Sequence, residues 1–253
     1  MSPRSAKPLR RILEYLAACL ALLAAWKITA LCVGSAILPQ PEDALLGFGL
    51  ALIDPAFWKH FFASGYRAGV AMALAWLVGF PLGVLMGGVK RFDAVAAPMV
   101  FLTYPVPKIV LLPVVLLLMG LGNASKITMI ALILGYQVLV AVRDGVRNIH
   151  PKYLDSIRSL GAGNARIFTE ALWPAALPHG FTALRLNSGV SVAVLFFVES
   201  FATTKGLGYL IMDAWGRLAY VDMFTGILGM SLLGVLLYET VNMLEHLTCR
   251  WKR

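Results

Sequence analysis

The sequence predicts an all-α, polytopic membrane protein of about six transmembrane helices, with a short helical loop projecting on the cytoplasmic side. Three observations carry this reading. Of 253 residues 59% are hydrophobic and only 14% charged, with a mean hydropathy of +0.78, a balance that a water-soluble core of this size does not need. The apolar residues fall in long runs bounded by charges, as membrane-spanning helices do. Between the fourth and fifth runs lies a polar, basic stretch, Tyr153 to Pro178, whose spacing is helical but whose composition cannot sit in lipid.

The first run, about Leu13 to Leu38, follows Arg4, Lys7, Arg10 and Arg11. A secretory signal has a core of roughly 7–15 residues, so this longer run is expected to remain as a first span. The loop from Pro39 to Gly65 carries Glu42, Asp43 and Asp54 and is expected to hold a short external helix around Pro55 to Ala63.

The second run, Ala68 to Val89, places Gly79, Gly83 and Gly87 four residues apart on one helix face, where missing side chains permit close helix approach. Pro81 beside them removes a backbone hydrogen bond and is expected to bend the helix. The third run, Ala94 to Leu121, contains Pro98, Pro105, Pro107 and Pro113 and so cannot be one straight helix. It either lines a pathway, because broken backbone at membrane depth requires protein or water beside it, or divides into an interfacial helix and a shorter span. Runs at Ile127 to Val142, Ala183 to Val198 and Met223 to Leu244 complete the six.

The net charge of +9 arises from cations in short clusters between apolar runs, with no aromatic-interleaved basic face, which excludes nucleic acid as a partner and leaves topology as the role of the charge. With the N-terminus in the cytoplasm, Lys90, Arg91, Arg143, Arg147, Lys152, Arg158, Arg166 and the C-terminal cluster fall inside, while only Lys59, Arg67, Lys126, Lys205 and Arg217 fall outside. Both termini are therefore expected to be cytoplasmic. No linker or repeat divides residues 1–253, and a single transmembrane domain is expected, with its core at 60–248 and its cytoplasmic loop at 150–178.

Gly120-Leu-Gly-Asn-Ala-Ser-Lys126 superficially matches a phosphate loop, but Ser125 stands where the second glycine belongs and Ile127 where a hydroxyl belongs. The chain is not expected to bind ATP there. Cys19, Cys32 and Cys249 lack metal or disulfide spacing, and no histidine pairs with a ligand at metal-binding intervals, so no metal site and no catalytic centre is expected. Energy for any transport must then come from elsewhere.

In the cytoplasmic stretch, Leu154, Ile157 and Leu160 repeat at helical spacing, with Asp155 and Arg158 on other faces and Gly161 as the stop. A second short helix is expected from Asn164 to about Trp173, ahead of Pro174 and Pro178. Two short helices at a glycine corner present apolar knobs to a groove on a soluble subunit, or else lie as a basic interfacial helix. In the fifth run Asn187, Ser188 and Ser191 lie between Arg185 and Glu199. Charges at the bilayer centre face partners or water, so Asn187, Ser191 and Glu199 are pathway candidates; alternatively Glu199 is bonded to a neighbouring helix or to Lys205.

The string Asp155-Ser-Ile-Arg-Ser-Leu-Gly161-Ala162, followed by Ile167-Phe168 and Leu177-Pro178, resembles the EAA loop of ABC importer permeases, with Asp155, Ser156 and Ile157 in place of Glu-Ala-Ala. The likeness extends over about Leu38 to Trp251, through Tyr104-Pro-Val-Pro107, Gly120 to Lys126 and Gly206-Leu-Gly-Tyr-Leu210, and is similar to the nitrate/sulfonate/taurine branch. The resemblance implies a permease subunit of a bacterial inner membrane. Residues Leu154 to Ile157, Gly161, Ala162, Ile167, Phe168, Leu177 and Pro178 would couple to a separate cytoplasmic ATPase, which alone binds ATP. It further implies a second permease subunit, expected to be identical, an external substrate-binding protein, and no cofactor on this chain. Rival classes are an ion-gradient transporter using Lys27, Lys108, Arg185 and Glu199 as relays, and a membrane scaffold without a polar route.

Overall fold

The computed structural model describes residues 6–34, 37–201 and 203–252, with the side chains of 6–13, 15 and 252 left undescribed. Arg4, Lys7, Arg10 and Arg11, on which part of the charge argument rests, fall outside the described side chains. The described residues are helical almost throughout and contain no strand. In hydrocarbon this is forced, since a helix bonds its own backbone polar groups and an isolated strand cannot.

Among the described residues twelve α-helices follow one another: α1 Ala6–Val33, α2 Pro41–Ala51, α3 Pro55–Gly88, α4 Lys90–Thr103, α5 Leu112–Met119, α6 Asn123–Arg147, α7 Pro151–Ser159, α8 Asn164–Ile167, α9 Trp173–Leu186, α10 Ser188–Glu199, α11 Leu207–Gly216 and α12 Tyr220–Thr248. Four are long and apolar enough to cross a membrane, at Leu16–Val33, Pro55–Gly88, Asn123–Arg147 and Tyr220–Thr248. Two bent pairs, Lys90–Thr103 with Lys108–Met119 at 81° and Asn164–Leu186 with Ser188–Glu199 at 45°, bring the number to as many as six when each pair is counted as one broken span. The third run is thus broken where its prolines stand. The fifth is not the single Ala183 to Val198 helix expected from its apolar run, because the chain turns at Asn187, whose side-chain amide donates back to Ala183 O at 2.8 Å.

The expected helix at Pro55 to Ala63 is instead the first part of α3, which runs unbroken through Ser64, Arg67 and Pro81 to Gly88. The separate short helix lies earlier, at Pro41–Ala51. Apolar composition set the estimated start of this span at Ala68, but Ser64 and Arg67 find polar partners within the protein, so the helix need not end where polar residues begin.

Contacts divide the chain into two compact units, Met1–Trp58 with Leu210–Gly229, and Lys59–Tyr209 with Met230–Arg253. In the first, Trp26 stacks on Phe224 with ring centroids 5.3 Å apart and donates to Pro39 O at 3.1 Å. Lys27 pairs with Glu42, and this hydrogen bond holds the Glu42 carboxyl below the usual carboxylate range. In the second, α6 is central, packing on α5, α9 and α10. Its contact with α3 is the glycine face: a Cβ on Gly79 would lie 2.6 Å from Gly135 O, one on Gly83 2.7 Å from Leu139 O, and one on Gly87 2.8 Å from Arg143 O. Each successive glycine meets the α6 backbone four residues further along, so the two helices touch through main chain. That approach supplies the van der Waals contact on which helix association in lipid depends.

At the Gly87 end of this seam, Arg143 of α6 grips Asp93 of α4 through Nε–Oδ1 (2.6 Å) and Nη2–Oδ2 (2.9 Å), and Arg147 adds a third bond to Oδ2 at 2.9 Å. Elsewhere Arg185 of α9 donates to Glu245 and Asn242 of α12 at 2.8 and 3.1 Å.

Gly83→Ala places a methyl against a carbonyl oxygen that cannot move without shifting α6. Overpacking of this kind costs about 1–3 kcal/mol. The thermal midpoint of the detergent-purified variant is expected to fall, and an unchanged midpoint contradicts the backbone-contact seam.

Candidate functional site: a helical loop and a buried clamp

The loop begins where α6 ends. His150 caps α7, its ring accepting from Lys152 N–H at 3.2 Å, and Pro151 occupies the first turn, where no backbone donor is missed. The helix stops at Gly161, whose φ of +83° suits a residue without Cβ. Gly161 N–H reaches Arg158 O at 2.9 Å and Ala162 N–H reaches Ile157 O at 3.3 Å, the paired bonds of a Schellman motif. The corner expected from sequence is present with its hydrogen bonds satisfied.

α7 is polar outside and apolar inside. Asp155 and Ser156 are exposed, and Asp155 pairs with Arg158 one turn on at 3.2 Å. Leu154 and Ile157 are half-buried, whereas Tyr153 and Leu160, 71% and 85% exposed, stand as apolar knobs, Tyr153 meeting only the His150 ring edge-on at 6.5 Å among the aromatic contacts of the described residues. Ala162 is half-buried behind the corner.

Beyond Gly163 the helix expected to end near Trp173 begins as the single α turn α8. It widens into a π turn over Phe168–Leu172 and continues directly as α9, which carries Pro174 in its first turn and Pro178 within it. Neither proline ends the helix. Single π turns inside α-helices are frequent at functional positions.

Ile167 is buried and Phe168 half-buried, and Phe168 begins a train of rings not expected from sequence. Phe168 lies 6.2 Å from Trp173, Trp173 meets Phe80 edge-on at 4.9 Å, Phe80 stacks on Trp76 at 4.7 Å, and Trp76 stacks on Phe181 at 4.2 Å. Gly180 makes this possible, since a Cβ there would lie 2.7 Å from the Trp76 ring. Such contacts contribute about 0.5–1.5 kcal/mol each beyond burial. The i, i+4 spacing of Trp76 and Phe80 on α3 was the available signal. Leu177 and Pro178 lie half-buried beside this train's α9 section.

The pathway candidates do not converge on one point. Asn187 folds back on its own helix at the bend. Ser191 is buried, and its hydroxyl oxygen has no hydrogen-bond partner within the described protein. Glu199, only 1% exposed, sits in a clamp. Arg67 Nη1 donates to Glu199 Oε1 at 2.6 Å, Gly208 N–H donates to Oε2 at 2.9 Å, and the Ser64 hydroxyl lies within 2.9 Å of both oxygens while accepting from Leu207 N–H at 2.8 Å. Arg67 is bonded further to Lys205 O at 2.7 Å and Asn123 Oδ1 at 2.8 Å. His60 Nδ1 lies near both Gly206 N and O, and its ring stacks on Tyr209.

This explains Gly206-Leu-Gly208. Gly206 has φ +132°, and a Cβ on Gly208 would lie 2.6 Å from Glu199 Cβ, so the loop backbone rests directly on the glutamate. Ser64 and Arg67, three residues apart on one face of α3, were the overlooked partners. The charged residues considered as relays are each occupied: Lys108 Nζ donates to the carbonyls of Thr103, Tyr104 and Val106 and lies over the Tyr136 ring, while Arg185 and Lys27 hold the partners given above.

The model of the family described as binding-protein-dependent transport system inner membrane component matches residues 79–246, which include the loop, the ring train from Phe80 onward and Glu199. Over 232 residues the chain is 29% identical to the taurine transport system permease protein TauC of Escherichia coli K12, covering 89% of this chain and 84% of that protein. It is 28% identical over 220 residues to the putative aliphatic sulfonates transport permease protein SsuC of Bacillus subtilis 168, covering 87% and 80% respectively. Among solved structures, the MetNI methionine ABC transporter in inward-facing conformations matches with a TM-score of 0.63 at 19% identity, covering 77% of this chain and 98% of that one, a likeness of fold.

Glu199→Gln leaves the Arg67 guanidinium buried without its counter-charge. Removing one partner of a buried pair costs about 3–5 kcal/mol, whereas replacing both costs far less. The thermal midpoint is expected to fall strongly in Glu199→Gln and to recover in part in Arg67→Met/Glu199→Gln. A double variant no better than the single contradicts the clamp.

Proposed function

The chain belongs to the family of binding-protein-dependent transport system inner membrane components, and from that premise we propose that it forms the translocation pathway of an ATP-driven importer and is worked through the loop at residues 150–178. The carrying observation is the combination of two exposed apolar knobs, Tyr153 and Leu160, on a rigidly capped short helix, with a continuous ring train leading from Phe168 into α3 and α9. A soluble ATPase gripping the knobs displaces α7. Gly161 fixes the corner, so displacement passes to Ile167 and Phe168 rather than being absorbed there. The π turn supplies the place where α9 can change phase relative to the loop.

In this reading Leu154, Asp155, Ser156, Ile157, Gly161 and Ala162 form the grip, and Ile167, Phe168, Leu177 and Pro178 carry motion into the membrane. The loop and both termini face the cytoplasm of a bacterial inner membrane. ATP binds to the partner ATPase, and this chain performs no catalysis. A second, identical permease subunit completes the pathway and an external binding protein delivers the solute. Alternating access then requires that the ATP-bound partner stabilise one membrane conformation over the other.

The solute is proposed to be a small sulfonate, either anionic or, like taurine, zwitterionic, on the names of the relatives. A buried glutamate would repel an anion in a water-poor pathway, but Arg67, Ser64 and Gly208 N–H compensate the Glu199 charge, which removes the objection. Asn187 and Ser191 supply neutral polar groups to this bent segment, the Ser191 hydroxyl being buried without a hydrogen-bond partner among the described residues. An ion-gradient mechanism is disfavoured because Lys27, Lys108 and Arg185 are each held by fixed partners.

Gly161→Val forces a β-branched residue to φ +83° and breaks the corner. In reconstituted vesicles with the ATPase and binding protein, uptake is expected to fall at least tenfold, on the order of a 1.4 kcal/mol loss of coupling, while ATP hydrolysis persists. Coupled uptake at the wild-type rate contradicts the role given to the loop.

A further inference from the structure

A cavity of about 850 Å³ opens between the end of α3, the start of α4, the end of α6 and the inner face of the α7–α8 loop. That volume is within the range of small-ligand sites, roughly 300–1,000 Å³. Its lining divides by chemistry. Leu154, Phe168, Leu172 and Val146 make an apolar wall, while Lys90, Arg91, Arg147 and Arg158 bring four cations to it.

The single carboxylate in the lining is Asp93, and it is already committed to Arg143 at 2.6 and 2.9 Å and to Arg147 at 2.9 Å. Arg158 leans on Asp155 outside the cavity. Lys90 and Arg91 are exposed and have no acidic partner among the described residues. The cavity is thus strongly cationic, amphipathic, and set at the ends of three membrane-spanning elements, where lipid phosphates lie.

We infer that this cavity binds the headgroup of an anionic phospholipid, with its phosphate between Lys90 and Arg91 and its glycerol and upper acyl carbons against the Leu154 and Phe168 wall. Charge complementarity selects an anion, and the apolar wall at the bilayer edge selects a lipid over a free ion. A lipid seated there touches both the membrane helices and the loop, so membrane composition would bias the loop's position.

Native mass spectrometry of the full-length chain in mild detergent, titrated with phosphatidylglycerol or phosphatidylcholine, tests this directly. Phosphatidylglycerol is expected to be retained in preference, and Lys90→Gln/Arg91→Gln to lower that retention about thirtyfold, roughly fivefold per cation removed, with phosphatidylcholine unaffected. If that variant does not insert, Arg158→Gln, on an exposed helix, is expected to lower retention about fivefold. Millimolar inorganic phosphate is expected not to displace the lipid. Equal retention of the two lipids, undiminished phosphatidylglycerol binding in the inserted variants, or displacement by inorganic phosphate overturns the inference.

Discussion

Helices immersed in hydrocarbon gain nothing from the hydrophobic effect by touching one another, so whatever holds them must be close backbone contact or buried polar bonding. Both are present in the Lys59–Tyr209 and Met230–Arg253 unit. The α3–α6 seam brings main chain against main chain at Gly79, Gly83 and Gly87, and side chains would prevent it. The rest of that unit is arranged about α6, whose other faces receive α5, α9 and α10.

A rigid seam is also what allows a small push at one end to matter at the other. The ring train from Phe168 to Phe181 runs from the loop onto α3 and α9, and the Asp93–Arg143 pair joins α4 to the same end of α6. The Glu199 clamp ties α10, α3 and the Gly206–Gly208 backbone together through charge-assisted bonds, which are stronger than neutral ones where water is scarce. Packing and buried charge therefore divide the labour: one holds the helices of this unit together, the other fixes its loops.

What could be read from the sequence was local. The apolar runs, the four-residue recurrence of glycine and the stop at Gly161 each depend on neighbours within a few turns, and family membership followed from short strings around them. What could not be read depended on distant partners. Nothing near Glu199 announces Arg67, 132 residues away. Polar residues at the start of α3 suggested a loop because their acceptors lay elsewhere in the chain. The bend at Asn187 and the π turn at Phe168–Leu172, by contrast, abut Ser188-Gly189 and Pro174, local breakers that an apolar run read by composition alone passes over.

The account stands on the loop being a cytosolic handle for a nucleotide-driven partner. With Cys19, Cys32 and Cys249 replaced, a single cysteine at the exposed Ser156 position can be labelled in sealed right-side-out and inverted membrane vesicles with a membrane-impermeant maleimide, with and without the ATPase subunit. The account predicts labelling only in inverted vesicles, and protection when the ATPase is bound. Labelling from the outside, or labelling that the bound ATPase leaves unchanged, would contradict it.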